Sequence, residues 1–239
     1  MLNVHSVYRS IDGEVNGALG AGQLSTFIRL KGCNLRCAWC DTRYAQAIAP
    51  VPEAMRTVSE LVHQVEEDSK ITLTGGEPFL QTETPELIAA LLDERRERVV
   101  TIETNGTQKL PHIMDCTPAR EHWTVRFGRR LILAVDYKLP SAAIEIPFWP
   151  GYFRHLRSWD ILKFAIADRS DYAAARNIWL QFPKCLARLV ISPVDPLNGD
   201  IARNLVEWLI YDHLEHIQFS LQIHKVLWPS DDNRGLEEH

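Results

Sequence analysis

The sequence of 239 residues predicts an α/β fold in which parallel strands alternate with helices. Three observations predict this class. Short apolar runs rich in β-formers recur, amphipathic segments of helix length separate them, and several runs end in polar or glycine-bearing clusters. Such alternation favours parallel pairing with right-handed crossovers. We therefore expect ligands at the carboxyl ends of the strands, in either a barrel or an open sheet.

The first five predicted elements alternate between strand and helix. They are strands at 25–32, 70–78 and 98–106 and helices at 57–68 and 84–97. The start of the first helix is well marked, because Thr57 is followed three residues later by Glu60, which together form a capping box. The apolar residues that follow recur on one helical face.

In the second half of the chain the alternation of strands and helices continues, and two irregular segments interrupt it. The irregular segments are 107–129 and 139–158. The predicted strands are 130–138, 159–166, 187–194 and 217–225, with helices at 172–182 and 201–214. No internal repeat or low-complexity linker divides the chain, and its length is typical of one α/β domain, so we expect a single domain over 1–239.

The overall charge argues against nucleic acid as a ligand. The formal net charge is −5 and no dense run of lysine and arginine appears, whereas a nucleic-acid site needs several cations on one face. The N-terminus lacks a signal-peptide pattern, and no run approaches the roughly 18 apolar residues of a membrane span. The 5 cysteines, an odd number without an export signal, indicate a cytoplasmic protein whose thiols serve metals or catalysis.

The segment GCNLRCAWCDT places Cys33, Cys37 and Cys40 four and then three residues apart. A structural zinc site usually takes four protein ligands, and the remaining cysteines, Cys116 and Cys185, are single and distant. An iron–sulfur cluster held by three thiolates would leave one iron open to bind a substrate or cofactor. The spacing therefore favours a cluster with an open iron over a structural zinc site.

The motif C-x3-C-x2-C, with the aromatic Trp39 before its last cysteine, resembles the cluster loop of radical S-adenosylmethionine enzymes. The sequence TGGEP at 74–78 ends a predicted strand, where that superfamily places a motif against the amino group of the cofactor. By itself TGGEP could equally be a strand-to-helix turn that needs glycine. The longer motifs narrow the resemblance to one family, and they are SIDGE, FIRLKGCNLRCAWCDT, TGGEP, ETNGT, DYKLPS, LKFAI and LQIHK.

Together these motifs resemble the 7-carboxy-7-deazaguanine synthase family over nearly the whole chain. The resemblance implies conversion of 6-carboxy-5,6,7,8-tetrahydropterin to 7-carboxy-7-deazaguanine with loss of ammonia, on the route to queuosine and other deazapurines. It implies a 4Fe–4S cluster, S-adenosylmethionine and Mg2+ as cofactors, and a modified, partial (β/α)6-type open barrel of about six strands. As partners we expect an electron donor such as flavodoxin or ferredoxin and a second copy of the chain in a homodimer.

The resemblance also implies roles for individual residues. The residues expected to bind the substrate are Ile11, Asp12, Gly13, Glu14, Arg29 and Thr74. The three cysteines of the loop would bind the cluster, and Thr42 would bind Mg2+. For S-adenosylmethionine the residues are Trp39, Cys40, Asp41, Gly76, Glu77, Asp136, Tyr137 and Lys138. The catalytic residue is not identified by the resemblance, and Glu103 is the candidate.

Two departures from the family pattern concern substrate contacts. The family turn reads close to IQGEG, whereas this chain reads IDGEV, so Asp12 replaces an amide and cannot donate a hydrogen bond while ionised. The run PSAAIE at 140–145 replaces PSSGME. Two alternatives remain, a radical activase acting on a partner protein and a non-enzymatic iron–sulfur or zinc protein. A tRNA-modifying radical enzyme is disfavoured by the acidic net charge.

Overall fold

The computed structural model describes residues 1–13, 15, 20–110 and 126–228. The strands are β1 Leu2–Ile11, β2 Leu24–Leu30, β3 Met55–Arg56, β4 Lys70–Gly75, β5 Val99–Thr104, β6 Leu131–Asp136, β7 Ile161–Ile166, β8 Arg188–Pro193 and β9 Gln218–Phe219. The helices are α1 Val58–Gln64, α2 Thr84–Glu94, α3 Tyr152–His155, α4 Arg169–Gln181, α5 Gly199–Tyr211 and α6 Ile223–Leu227.

The strands form one sheet in the order β3-β1-β2-β4-β5-β6-β7-β8-β9. Every pair from β2 to β9 is parallel, and β1 is antiparallel to both of its neighbours. In the described residues no strand pairing joins β3 to β9, so hydrogen bonds do not close the sheet. The predicted α/β class with an open, partial barrel is confirmed, with six longer parallel strands, β2 and β4 to β8, at its centre.

Side-chain caps mark the start of helices α1 and α4. In α1 the Thr57 hydroxyl accepts from the Glu60 amide at 3.2 Å, and the Glu60 carboxylate accepts from the Thr57 amide at 2.7 Å, so the predicted capping box is present. Helix α4 begins earlier than the sequence predicts, because Asp168 caps it by accepting from the amide of Asp171. The predicted helices at 57–68 and 84–97 end sooner, at Gln64 and Glu94.

Several elements differ from prediction, including the short strand β3, which was not predicted. Strand β1 was not predicted, because inward-facing polar residues such as Tyr8 and Ser10 interrupt its apolar pattern. The predicted strand at 217–225 is wrong beyond Phe219: only two of its residues pair with β8, and the chain then enters α6. A short apolar run such as this fits helix and strand equally well. Helix α3 lies in the segment predicted to be irregular.

Among the described residues no helix is long and apolar enough to cross a membrane.

Candidate functional site

The carboxyl ends of the parallel strands surround a cavity that brings most of the predicted site residues together. Those that line it are Ile11, Asp12, Gly13, Arg29, Cys33, Cys37, Trp39, Cys40, Asp41, Thr42, Thr74, Gly76, Glu103, Asp136 and Lys138. Those from β2, β4, β5 and β6 lie in or follow their strands, as expected for a parallel sheet whose ligands sit beyond its carboxyl edge. Ile11, Asp12 and Gly13 end the antiparallel strand β1 and therefore enter the cavity beside the start of β2 at Leu24. Glu14 lies outside the described residues.

The cysteine loop follows β2, and two backbone hydrogen bonds join its first residues to the residues at its end. The amide of Gly32 donates to the carbonyl of Ala45 at 2.8 Å, and the amide of Cys33 donates to the carbonyl of Gln46 at 3.2 Å. Cys33 is buried, and Cys37 and Cys40 are half-buried. Burial raises the pKa of Cys33 and of Cys37, so their thiolate forms need a positive partner such as iron.

The three thiols fit a cluster better than a single ion. In the described part of the chain no three cysteine, histidine, aspartate or glutamate side chains are grouped to hold one metal ion. A cuboidal cluster binds each thiolate at a different iron atom, so it needs the sulfurs farther apart than one ion does. All three thiols are free and line one cavity, which is the arrangement that a cluster with one open iron requires.

Two glycines bring the turn after β4 against the cysteine loop. A Cβ on Gly76 would lie 2.0 Å from the carbonyl oxygen of Gly32, well inside van der Waals contact. Gly75 has a φ of +138°, and a Cβ there would lie 2.1 Å from the carbonyl oxygen of Leu30. The amide of Glu77 can therefore donate to the Gly32 carbonyl at 2.7 Å. The turn thus needs glycine to support the cysteine loop, as the conformational interpretation expects, and the contact of TGGEP with S-adenosylmethionine stays a prediction.

Glu77 supports the site from below and does not line the cavity. Its carboxylate accepts from the Thr104 hydroxyl at 2.7 Å, from the Asn105 amide at 2.7 Å and from the Phe79 amide at 3.1 Å. Burial raises the pKa of Glu77, and these three hydrogen bonds oppose that rise. The Asn105 side chain in turn lies 3.8 Å from the Cys33 sulfur, so Glu77 indirectly sets the position of a group beside the cluster loop.

A guanidinium on β2 and a carboxylate on β5, two strands separated by β4, both line the cavity. Arg29 donates to the Tyr8 hydroxyl at 2.5 Å, while its Nε is buried without a hydrogen-bond partner. Glu103 accepts from the Thr74 hydroxyl at 2.6 Å, and its charge acts on Arg29. An unpaired buried donor costs free energy, so Arg29 Nε is set to donate to a ligand.

Asp12 and Gly13 lie where β1 ends, against the C-terminal segment of the described chain. Asp12 is only 3% exposed, and its carboxylate accepts from the Thr72 hydroxyl at 3.4 Å. The carbonyl of Gly13 accepts from the amide of Ile223 at 2.9 Å. A Cβ on Gly13 would meet the His224 ring at 2.3 Å, so glycine permits this close approach.

A second contact of this segment reaches the cysteine loop. Lys225 Nζ lies 3.1 Å from the carboxylate of Asp41, and it also reaches the carbonyl of Val194 at 3.4 Å. Burial alone would raise the pKa of Asp41, but Lys225 holds it below its usual range. From the sequence alone, the basic pair His224 and Lys225 could lie in the pocket or on the surface. In the structure both residues line the cavity.

Trp39, inside the cysteine loop, is anchored by the segment after β6. Its indole N–H donates to the Ser141 hydroxyl at 3.0 Å, and Lys138 Nζ lies 4.7 Å from its ring centroid. The amide of Ser141 donates to the fully buried carboxylate of Asp171 at 3.0 Å. Helix α4 therefore holds the cysteine loop through one intermediate residue.

Asp136 presents a free acceptor beside this anchor. Its Oδ2 accepts from Lys138 at 2.7 Å, while its buried Oδ1 has no hydrogen-bond partner. Burial disfavours the charged form of Lys138 and so tends to lower its pKa, but the negative charge of Asp136 keeps the pKa of Lys138 above its usual value. Tyr137 between them packs against Phe148 and Phe164 and does not line the cavity.

Several lining residues have no role assigned from the sequence, and they include Tyr8, Tyr44, Asn105, Lys163 and Gln222. Asn105, Lys163 and Gln222 lie in the motifs ETNGT, LKFAI and LQIHK, whereas Tyr8 and Tyr44 lie in no recognised motif.

Comparisons with known proteins agree with this geometry. Residues 27–115 match the model of the radical SAM superfamily. The chain is 32% identical to the 7-carboxy-7-deazaguanine synthase of Clostridium acetobutylicum, covering 95% of this chain and 96% of the relative. It is also 32% identical to the enzyme of the same name from Chlorobaculum tepidum, covering 98% and 97%.

Solved structures show the same fold. The crystal structure of QueE from Escherichia coli superposes with a TM-score of 0.67 at 19% identity, covering 93% of this chain and 94% of that chain. SuiB from Streptococcus suis, bound to S-adenosylmethionine, superposes with a TM-score of 0.52 at 12% identity, covering 79% of this chain and 48% of that chain.

Proposed function

This chain belongs to the 7-carboxy-7-deazaguanine synthase family, and we propose that it catalyses that family's reaction in the cavity described above. It is a radical S-adenosylmethionine lyase that converts 6-carboxy-5,6,7,8-tetrahydropterin to 7-carboxy-7-deazaguanine with loss of ammonia. The observation that supports this most strongly is the meeting of two groups in one cavity: three free thiols at one wall, and the Arg29–Glu103 pair at another.

The cofactors of this family are a 4Fe–4S cluster and S-adenosylmethionine, which together supply the 5′-deoxyadenosyl radical that opens the reaction. Cys33, Cys37 and Cys40 would hold the cluster. The unpaired Oδ1 of Asp136 would accept from the amino group of S-adenosylmethionine, and the Trp39 ring, fixed by Ser141, would form a flat wall beside the cofactor.

Arg29 and Glu103 orient the pterin. The unpaired Nε of Arg29 supplies a donor for the substrate carboxylate or its carbonyl edge, and a guanidinium suits either because its donors are planar. Glu103 is the carboxylate beside this position, with Thr74 orienting one oxygen. We assign to Glu103 the exchange of a proton with the ring nitrogen that leaves as ammonia, because a general acid must lie within hydrogen-bond reach of that atom.

Asp12 and Gly13 form the far wall. The Gly13 carbonyl already accepts from the Ile223 amide and Ile11 is paired with Leu24, and the Asp12 carboxylate can only accept hydrogen bonds while ionised. It therefore suits the N–H groups of the aminopyrimidine edge better than a carbonyl.

For Mg2+ the proposed protein ligand is the Thr42 hydroxyl, which lies 3.7 Å from the Cys40 sulfur. Mg2+ usually keeps several waters and takes few protein ligands, so the substrate carboxylate would complete the site. We further propose a cytoplasmic homodimer of this single domain that receives its electron from a flavodoxin or ferredoxin.

The direct test is turnover. Anaerobically reconstituted protein is reduced with dithionite in the presence of S-adenosylmethionine, Mg2+ and 6-carboxytetrahydropterin, and the product is followed by mass spectrometry. We expect the mass of 7-carboxy-7-deazaguanine from the native chain and from Cys185→Ala, and none from Cys40→Ala. Cleavage of S-adenosylmethionine without a change in the pterin would contradict the substrate assignment and leave the radical chemistry intact.

A second test addresses Arg29. Arg29→Lys keeps the charge but removes the planar donors, so KM for the pterin should rise about tenfold or more with a smaller change in kcat. An unchanged KM would show that Arg29 does not contact the substrate.

A further inference from the structure

The cysteine loop has an outer side as well as the side that faces the cavity. Ala38 lies between two of the cysteines and is exposed, while Cys37 and Cys40 on either side of it are half-buried. If this loop holds the cluster, as the proposed function requires, the exposed Ala38 adjoins one of its ligands, Cys37. An external electron carrier that approaches here comes close to the cluster, and electron transfer weakens steeply with distance.

Two arginines flank this exposed point, and each fixes the loop backbone. Arg36 donates to the carbonyls of Cys33 and Leu35 at 2.8 and 2.7 Å, and Arg43 donates to the carbonyl of Ala38 at 2.8 Å. Both side chains are nevertheless exposed. Each guanidinium has five N–H donors, and these bonds use only some of them.

Among the described residues, neither arginine has a carboxylate partner. Across residues 1–13, 15, 20–110 and 126–228, no acidic side chain lies within ion-pair distance of Arg36 or Arg43. The nearby Asp41 is instead paired with Lys225. The chain as a whole carries a net charge of −5, so a local positive surface beside the cluster loop stands out against its overall charge.

We propose that the surface formed by Arg36, Ala38 and Arg43, here called the arginine surface, is the docking site of an acidic one-electron carrier protein. In the encounter the reduced carrier loses one electron and the cluster gains it, with no proton or covalent bond transferred. This rests on the proposed function, because only that function requires a reduced cluster.

Charge complementarity explains why the carrier should be acidic. An acidic chain repels another acidic protein at long range, so productive encounters need a positive patch at the point of contact. The guanidiniums of Arg36 and Arg43, which have no carboxylate partner among the described residues, provide this positive patch. Their effect falls with ionic strength, because the Debye length shrinks to about 8 Å at physiological salt. Surface charges of this kind change association rates more than they change affinity in the docked state.

The test compares a protein carrier with a small reductant. The variant Arg36→Gln with Arg43→Gln removes both charges and keeps an N–H donor for each loop carbonyl. Arg9→Gln is the control, since Arg9 is 71% exposed and lies on β1, paired with Asp68. Cluster reduction is followed anaerobically by the loss of visible absorbance, first with flavodoxin hydroquinone and then with dithionite.

At low ionic strength we expect the double variant to be reduced about tenfold more slowly by flavodoxin, with the gap closing at high salt. Dithionite should reduce all three proteins at rates within twofold, and Arg9→Gln should match the native chain throughout. An unchanged flavodoxin rate overturns the proposal. A loss of equal size with dithionite also overturns it, because the arginines would then hold the loop and not a partner. Neither result depends on pterin turnover, so failure of the proposed function is seen separately in the dithionite assay for product.

Discussion

Asp171 offers the sharpest prediction about how the scaffold positions the cysteine loop. Its carboxylate accepts from the amide of Ser141 at 3.0 Å and from the amide of Ala167 at 3.0 Å, and it is fully buried. Ser141 then accepts from the Trp39 indole at 3.0 Å. Removal of this one carboxylate should therefore loosen a loop to which it makes no direct contact.

The magnitude follows from the two hydrogen bonds to a charged acceptor, each about 1.5–3 kcal/mol. Both amides are only partly buried and can recover some hydration, so Asp171→Ala should lose about 2–4 kcal/mol of unfolding free energy. For a chain of this length that is about 5–15 °C in Tm. Asp171→Asn retains one acceptor oxygen and should lose about half as much.

The assay for the loop is the rate at which iodoacetamide alkylates each thiol in the cluster-free protein, resolved by mass spectrometry. Loosening by about 1.4 kcal/mol corresponds to a tenfold change in the open population, so Cys37 and Cys40 should react several-fold faster. Cys185 is half-buried elsewhere and serves as the internal reference.

Asp168→Ala is the matched control. It removes the cap of the same helix at a cost of about 1 kcal/mol, and the Asp168 side chain bonds the amide of Asp171 rather than Ser141. The reasoning fails if Asp171→Ala leaves the ratio of Cys37 to Cys185 alkylation unchanged, or if the control shifts that ratio equally.

Three further predictions concern backbone and buried charge. Gly76→Ala should lower stability by at least about 2 kcal/mol and reduce iron content per chain, while Gly199→Ala, where only the Arg203 side chain lies near at 3.8 Å, should retain iron. Glu77→Gln should be less stable than the native chain in urea unfolding by about 1–3 kcal/mol. Because burial raises the pKa of Glu77 in the folded state, its contribution to stability is fullest below pH 4.5 and falls as pH rises through the folded pKa. The difference in unfolding free energy between the native chain and Glu77→Gln should therefore narrow as pH rises. A difference that widens would contradict the raised pKa. Ala143 adopts a left-handed φ of 51°, at the position where the family run PSSGME has glycine. Ala143→Gly should therefore gain about 0.5–1 kcal/mol of unfolding free energy in the same assay. A loss of stability would show that this φ carries no strain.

The central strands and the site motifs could be predicted from sequence because their signals are local. The capping box of α1 lies within four residues, and the cysteine spacing is contained in one loop. Strand β1 could not be predicted, since its inward face lines a polar cavity and the usual apolar alternation is missing.

Position along the motif did not predict which way each side chain points. Glu77 follows two glycines that approach the cysteine loop, yet its carboxylate turns down to Thr104 and Asn105. Asp171 has no motif at all, and its role depends on a contact 30 residues away in sequence. Contacts of this kind depend on how α4 packs beside the segment after β6, which no local pattern encodes.

In the described residues no strand pairing joins β3 to β9, and this has a consequence for the mobility of the cavity wall. The segment after β9 meets the end of β1 and the cysteine loop through single contacts, which include the Ile223 amide with the Gly13 carbonyl, the Val15 amide with the Ser220 hydroxyl at 3.2 Å, and Lys225 with Asp41. Contacts of this kind contribute about 1 kcal/mol each, and each can break without disrupting a ladder between described strands. The hydrogen-exchange rate of the Ile223 amide therefore measures how often this side of the cavity opens.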